Sequence, residues 1–340
     1  MAHSIALNFE DGATRIIAAR DGETVADAAY RVGINIPLDC RDGACGTCRC
    51  KVEAGLYDGG SYIEDALSTD EAAQGFALAC QMRPKTDVVV GIAASSAQCK
   101  TAPQSFSAKL IDVRRLSETS IGFVLERPAG IAFLPGQYVN IRVPGGTAVR
   151  SYSFSSAPDA ATLDFLVRDI PGGQMSGWLR DIARCGDAVD FTGPAGSFYL
   201  RDINRPVLFL SGGTGLAPFL SMLGRLAVTG SAHPVHLVHG VTNDADLVEI
   251  ANLEAAAASL PFFSFTTCVA REASTHPRRG YVTNHLVPVQ LNAGDVDIYL
   301  CGPPPMVDAV RAWLSVHGIS PASFYTEKFA ASGAAAKQAA

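Results

Sequence analysis

The sequence predicts a multidomain chain in three parts: an α+β domain over residues 1–98, an antiparallel β-barrel over 105–203 and a parallel α/β domain over 204–329. Three observations predict it. The first part sets a dense group of cysteines, Cys40 to Cys50, between short strand and helix patterns. The second alternates apolar and polar residues with a period of two, broken by Pro/Gly turns. The third alternates apolar strand-like runs with helical patterns, as a parallel sheet requires. With 340 residues, 48% of them apolar, the chain has material for several cores.

In the first part, Ile5 to Phe9 and Thr14 to Ala18 read as strands around the turn Asp11-Gly12. Thr24 caps a helix to about Val32, with Val25, Ala28, Ala29 and Val32 on one face and Gly33 as its stop. A short helix from Leu67 to Gly75 and a closing strand from Asp87 to Val90 follow. Between these elements lies Cys40-Arg-Asp-Gly-Ala-Cys45-Gly-Thr-Cys48-Arg-Cys50, with Cys80 standing alone further on. C-x₄-C-x₂-C plus a distant fourth Cys is the spacing of a plant-type [2Fe–2S] site. Gly43, Ala44 and Gly46 suit a loop whose N–H groups must approach the cluster sulfurs. Cys45-x-x-Cys48 alone would also serve as half a zinc site or a redox thiol pair. Zinc would want a second close pair, and none follows. Cys50 falls outside the spacing and reads as a packed thiol. Residues 99–104, in a polar stretch with a proline, read as a linker.

A [2Fe–2S] cluster takes one electron at a time. A nicotinamide donor therefore needs an intermediary that accepts two electrons and releases them singly, usually a flavin. Candidate barrel strands fall at 107–114, 121–125, 138–143, 150–155 and 163–168, and Gly173-Gln-Met-Ser176 opens a helix whose free N–H groups suit phosphate. In the last part, strands are expected at 206–211, 235–239, 262–269 and 297–301, with helices at 217–226 and 307–317. Gly212-Gly213-Thr214-Gly215 follows the first of these strands, where a phosphate approaches the backbone at a helix start. Asp244 and Asp246 follow the second, and their charge would repel a 2′-phosphate, which favours NADH over NADPH. His233, His236 and His239 alternate with apolar residues along one strand and read as packing or surface groups.

Residues 1–98 resemble a plant-type ferredoxin, a β-grasp domain, over their full length. Arg150-Ser-Tyr152-Ser153 resembles the R-x-Y-S flavin motif of ferredoxin–NADP⁺ reductase-like proteins, and Gly-Gly-x-Gly with Cys301-Gly302-Pro-Pro resembles their nicotinamide domain. The resemblance implies FAD rather than FMN, because FMN-using relatives usually place the ferredoxin domain last. It gives Arg150 to the pyrophosphate, the Tyr152 ring to the isoalloxazine face and the Ser153 hydroxyl to the neighbourhood of N5. It places Cys301 beside the nicotinamide carbon that gives hydride, and Glu327 and Phe329 in a flavin-facing C-terminal segment. In this chain a low-complexity tail, residues 330–340, continues past that segment and is expected to be disordered. The domain order resembles that of the reductase components of bacterial ring-hydroxylating dioxygenases of the benzoate, toluate and anthranilate type. This implies electron flow from NADH through FAD and the [2Fe–2S] cluster to a terminal oxygenase of the Rieske non-haem iron type. Two alternatives stand beside it, of which the first keeps the chemistry and changes the client and the second makes the ferredoxin domain a docked regulatory or scavenging module. One is the reductase of a soluble di-iron monooxygenase, of phenol or methane hydroxylase type, and the other a free NADH diaphorase.

The net charge of −6 lies in the first part, where residues 1–98 hold 14 acidic and 8 basic side chains. That suits an electron-transfer partner with a basic patch, or a plainly soluble acidic domain. Arg114-Arg115 and Arg278-Arg279 are isolated pairs, which argues against nucleic-acid binding. No apolar run approaches the ~20 residues of a membrane span, and the start of the chain lacks the pattern of a targeting signal. Nine cysteines, an odd number, point to a reducing cytoplasm rather than a disulfide framework. The chain is expected to act as a monomer. The seven histidines show no spacing for a mononuclear metal site.

Overall fold

The computed structural model describes residues 2–38, 43, 44, 46–64, 66–100 and 104–329. Contacts divide the described residues into two units, one of residues up to Gln104 together with Ala195–Ser197, the other of Ser105–Pro194 and Phe198–Phe329. Residues 101–103 of the expected linker and the expected tail, 330–340, lie outside the described residues.

The first unit contains β1 (His3–Phe9), β2 (Thr14–Ala19), α1 (Val25–Arg31), β3 (Arg49–Ala54), β4 (Tyr57–Asp58), α2 (Thr69–Ala73), β5 (Phe76–Leu78), β6 (Arg83–Pro84) and β7 (Val88–Ile92). Its five-stranded sheet runs β2-β1-β7-β3-β5, with β7 parallel to β1 and antiparallel to β3. Alternation along β1 turns Ile5, Leu7 and Phe9 into the core, and α1 contributes Val25, Ala26, Ala28 and Ala29 to it. The Thr24 hydroxyl accepts the Asp27 N–H at 3.2 Å, an N-cap worth about 1 kcal/mol. The second helix is shorter than expected because Ser68 caps it, in a reciprocal capping box with Glu71. The described start of the expected linker packs with the first unit. Cys99 is buried in the first core within a short turn over Gln98–Lys100, its carbonyl accepts the Asn35 N–H, and Ser96 bonds Asp11. A polar stretch whose hydrogen bonds are met by the domain packs as part of it.

The second unit opens with β8 (Gln104–Arg115), β9 (Ser120–Glu126), β10 (Tyr138–Arg142), β11 (Val149–Ser153), β12 (Thr162–Arg168), α3 (Gln174–Asp181) and β13 (Ala188–Ala195). The sheet order is β11-β10-β13-β8-β9-β12, and a bridge between Phe154 and Phe165 joins its two ends into a near-closed antiparallel barrel. Phe123 and Phe165 stack inside it with centroids 4.8 Å apart. β13 was not expected, although its burial alternates as a strand should.

The same unit continues with β14 (Val207–Gly212), α4 (Ala217–Thr229), β15 (Val235–Val241), α5 (Ile250–Ser259), β16 (Phe263–Val269), α6 (Pro288–Leu291), β17 (Asp297–Gly302), α7 (Pro304–Val316) and β18 (Ser323–Lys328). These five strands form a parallel sheet in the order β16-β15-β14-β17-β18. α7 starts at Pro304 rather than Val307, since prolines in a first helical turn have no needed N–H to lose. The C-terminal segment, read from sequence only as flavin-facing, is the fifth parallel strand. No helix of the described residues is long and apolar enough to cross a membrane.

Candidate functional site

In the first unit the cysteine loop runs into β3. Cys48 and Cys80 are both buried, and the Ala79 N–H donates to the Cys48 carbonyl at 3.0 Å, tying together the segments that carry them. Cys40 and Cys45, the other two expected ligands, lie outside the described residues. The loop glycines show why a side chain is excluded. Gly43 and Gly46 have φ of +81° and +74°. A Cβ on Gly43 would stand 2.5 Å from the Ser61 carbonyl oxygen, and one on Gly46 would stand 2.7 Å from that of Ala66. Arg49 forms a largely buried ion pair with Glu71, joining the start of β3 to α2. Cys50 is a packed thiol whose sulfur contacts the Ala77 carbonyl oxygen at 3.4 Å. The buried thiols of Cys48 and Cys80, beside a loop whose described glycines leave no room for a side chain, fit the two expected cluster ligands that lie among the described residues.

In the barrel, Arg150, Tyr152 and Ser153 occupy one strand, β11. The Arg150 guanidinium reaches Gln174 Oε1 at 3.4 Å, which brings it to the start of α3. Gly173 is the N-cap there, with no side-chain cap over the first-turn N–H groups. Cation and open helix start thus converge, as a pyrophosphate requires. Ser176 is engaged with the loop that precedes α3. Its hydroxyl is buried, accepts the Ile170 N–H at 3.2 Å and contacts the Ile170 carbonyl at 3.3 Å, so it shapes the loop. The Tyr152 ring meets Phe123 edge-on at 6.2 Å, and burial pushes its phenol above the usual range. These residues fit FAD.

Ser153 connects the barrel to the parallel sheet: its hydroxyl donates to Glu327 Oε2 at 3.1 Å. Glu327 begins a row of paired residues that crosses the sheet near its C-terminal end. Glu327 lies beside Cys301, Cys301 beside Ser211, Ser211 beside His239, and His239 beside Thr267. Residues paired in this way share a face, and this edge is where ligands bind on open α/β sheets. Cys301 is fully buried; burial, then Glu327, holds its thiol well above the ordinary range. β14 ends at Gly212, and Gly213, Thr214 and Gly215 turn into α4. A Cβ on Gly215 would stand 2.5 Å from the Cys301 carbonyl oxygen, so only glycine permits this crossing. Phe329 follows β18, and its N–H donates to the Gly302 carbonyl at 2.9 Å. Cys301, Gly302, Glu327, Phe329 and Ser153 therefore come together.

The two aspartates separate. Asp244 is exposed and accepts the Ser274 hydroxyl at 2.7 Å through one oxygen. Asp246 is half-buried; it accepts the Thr119 hydroxyl through one oxygen and the Asn243 N–H and amide, at 3.1 and 2.9 Å, through the other. Desolvation opposes its charge, but these bonds and Arg168 hold its carboxyl below the usual range. Asp246 is thus engaged within the protein, and Asp244 is the carboxylate that faces outward. Sequence reasoning also missed the buried pair Ser211 Oγ and His239 Nδ1, 2.8 Å apart. A cavity of about 350 Å³ between the barrel and helices α4 and α5 holds none of the expected site residues.

Residues 8–85 match the 2Fe-2S iron-sulfur cluster binding domain family, residues 107–199 the oxidoreductase FAD-binding domain family and residues 209–312 the oxidoreductase NAD-binding domain family. The toluate 1,2-dioxygenase electron transfer component of Pseudomonas putida is 55% identical, covering 98% of this chain and 100% of its own. The 2-halobenzoate 1,2-dioxygenase electron transfer component of Burkholderia cepacia is 51% identical, over 97% of this chain and 98% of its own. Among solved structures, a cytochrome P450 reductase from Amycolatopsis superposes with a TM-score of 0.70 at 33% identity, covering 96% of this chain and 98% of its own. Identity of this order along the whole chain, with the three family models matched in turn, shows that the chain belongs to the family of dioxygenase electron transfer components, oxidoreductases with [2Fe–2S], FAD-binding and NAD-binding domains.

Proposed function

We propose that this chain is the reductase of an aromatic-ring dioxygenase acting on a benzoate-type acid, and that it takes electrons from NADH and delivers them to a terminal oxygenase of the Rieske non-haem iron type. The observation that carries the reading is the 55% identity, along 98% of the chain, to a toluate 1,2-dioxygenase electron transfer component. The flavin, when bound, supplies the exchange between two-electron and one-electron chemistry. Arg150 and the first turn of α3 bind its pyrophosphate, and the Tyr152 ring offers its plane to the isoalloxazine. Cys301, buried beneath Gly215 and flanked by Glu327 and Phe329, forms the wall against which the nicotinamide is oriented, and this packing excludes water from the reacting atoms. Ser153 and Glu327 hold a proton in their hydrogen bond at that wall. A cytoplasmic setting is supported by the cysteine count, since nine cysteines, an odd number with four assigned to the cluster, do not make a disulfide framework.

Purified oxygenase components supplied one at a time test the reading. NADH-driven product formation is expected with a Rieske dioxygenase that takes a benzoate-type acid. Turnover confined to a di-iron hydroxylase would give the chain another client, and reduction of ferricyanide with no oxygenase served would leave a diaphorase. Nucleotide preference follows from Asp244. NADH is expected to exceed NADPH in kcat/KM by at least about tenfold, because an outward carboxylate at the end of β15 repels a 2′-phosphate. Asp244→Ser is expected to narrow that ratio. Equal kcat/KM values for the two nucleotides in the parent protein would refute the assignment.

A further inference from the structure

Asp246 and Asp244 sit in one short turn, Asp244–Asp246, with Asn243 as its N-cap. That turn is fixed from both sides. On its own lobe, Arg271 donates to Asn243 Oδ1 at 3.1 Å and Ser274 to Asp244 Oδ1 at 2.7 Å. From the barrel, Thr119 donates its hydroxyl to Asp246 Oδ1. Thr119 is itself held firmly. Its carbonyl accepts the Asp169 N–H at 2.8 Å, its N–H donates to Ser117 Oγ at 3.2 Å, and Arg115 bonds both the Glu118 carbonyl and the Asp169 carboxylate. Arg180 holds the other Asp169 oxygen at 2.6 Å. A rigid donor on the flavin side thus grips the turn that presents Asp244.

We infer that Thr119, a barrel residue 127 positions away in sequence, is a positioning residue for the dinucleotide: through Asp246 it sets where the Asp244 carboxylate meets the adenosine ribose. The inference rests on the reading that NADH binds along the C-terminal edge of the parallel sheet with Asp244 at its ribose. Its physical content is that Asp244 and Asp246 share one turn of backbone, so freeing one carboxylate displaces the other. A hydrogen bond from a hydroxyl to a carboxylate is among the stronger kinds, and small displacements of a binding group have large effects.

The test uses the full-length holoprotein with ferricyanide as acceptor and NADH varied. Thr119→Val removes the hydroxyl and keeps the shape. It is expected to raise KM for NADH about tenfold, the effect of one lost hydrogen bond to a charged group, with kcat at saturating NADH unchanged. Thr119→Ser restores the hydroxyl and is expected to restore KM. Asp246→Asn weakens the same contact from the other side and is expected to raise KM as well, which decides the matter if Thr119→Val folds poorly. A lowered Tm with KM unchanged in both Thr119→Val and Asp246→Asn would reduce the contact to a structural tie and overturn the inference. Asp244→Ala separates the two levels. If it raises KM while the other variants do not, the positioning role alone fails. If none of the three alters KM, the placement of NADH at this turn fails with it.

Discussion

Cys80→Ser is expected to yield a protein that binds FAD but no iron. Cys80 is the one expected ligand outside the Cys40–Cys48 loop, and a cluster of two irons with four thiolate ligands needs all of them. In the fold its segment is tied to the loop by the Ala79 N–H, which donates to the Cys48 carbonyl at 3.0 Å. The nearest spare thiol is Cys50, and its sulfur is turned to the Ala77 carbonyl oxygen in the core. Visible absorption and iron analysis of the purified variant separate the cases, because the flavin contribution remains when the cluster bands vanish. NADH-driven reduction of ferricyanide should persist, since Arg150, Ser153, Cys301 and Glu327 all lie in the other unit. Electron delivery to an oxygenase should disappear. Full iron occupancy in Cys80→Ser would sink the ligand assignment. Occupancy that disappears only in the Cys50→Ser/Cys80→Ser double variant would transfer the fourth position to Cys50.

How much of this was legible in the sequence depended on whether the signal was local. The cysteine spacing, Arg150-x-Tyr152-Ser153 and Cys301-Gly302-Pro-Pro are short, and each carries its chemistry within a few residues. The parallel sheet was visible because its central strands, β14 and β17, are buried and mostly apolar runs. β13 was not, because Gly193-Pro194 near its end reads as a turn. α5 was missed because its Ala-rich run has no apolar stripe, with only Leu253 fully buried. The bond from Thr119 to Asp246 crosses two lobes, and nothing local marks either partner. Asp244 and Asp246 look equivalent in sequence; only the fold shows that Asp246 is half-buried with both oxygens bonded and Asp244 is exposed with one oxygen bonded. Ser176 gives the same lesson, since a Gly-x-x-Ser helix start does not reveal that its hydroxyl closes the loop onto Ile170. His239, in a strand where histidines alternate with apolar residues, reads from sequence as a packing or surface group, which leaves its chemistry unstated.

That chemistry predicts an acid-sensitive nucleotide lobe. His239 is fully buried, its Nδ1 lies 2.8 Å from Ser211 Oγ, and its Nε2 has no hydrogen-bond partner among the described residues. Burial pulls its pKa down from 6.5 to about 4, against a smaller opposing effect of Ser211. The unfolded chain then binds a proton between those values that the folded chain refuses. Stability contributed by the neutral ring is complete above pH 6.5 and declines as the pH falls toward 4. The difference corresponds to a loss on the order of 3 kcal/mol across that window, a large fraction of a domain's usual margin. Both tryptophans, Trp178 and Trp313, belong to the second unit, so their fluorescence in urea reports on it alone. The unfolding midpoint is expected to drop steadily from pH 6.5 to pH 4. His239→Gln keeps a neutral partner for Ser211 and cannot be protonated in this range, so it should flatten most of that decline. An equal slope in the two proteins would mean that other groups, not the buried imidazole beside Ser211, set the acid limit of this lobe.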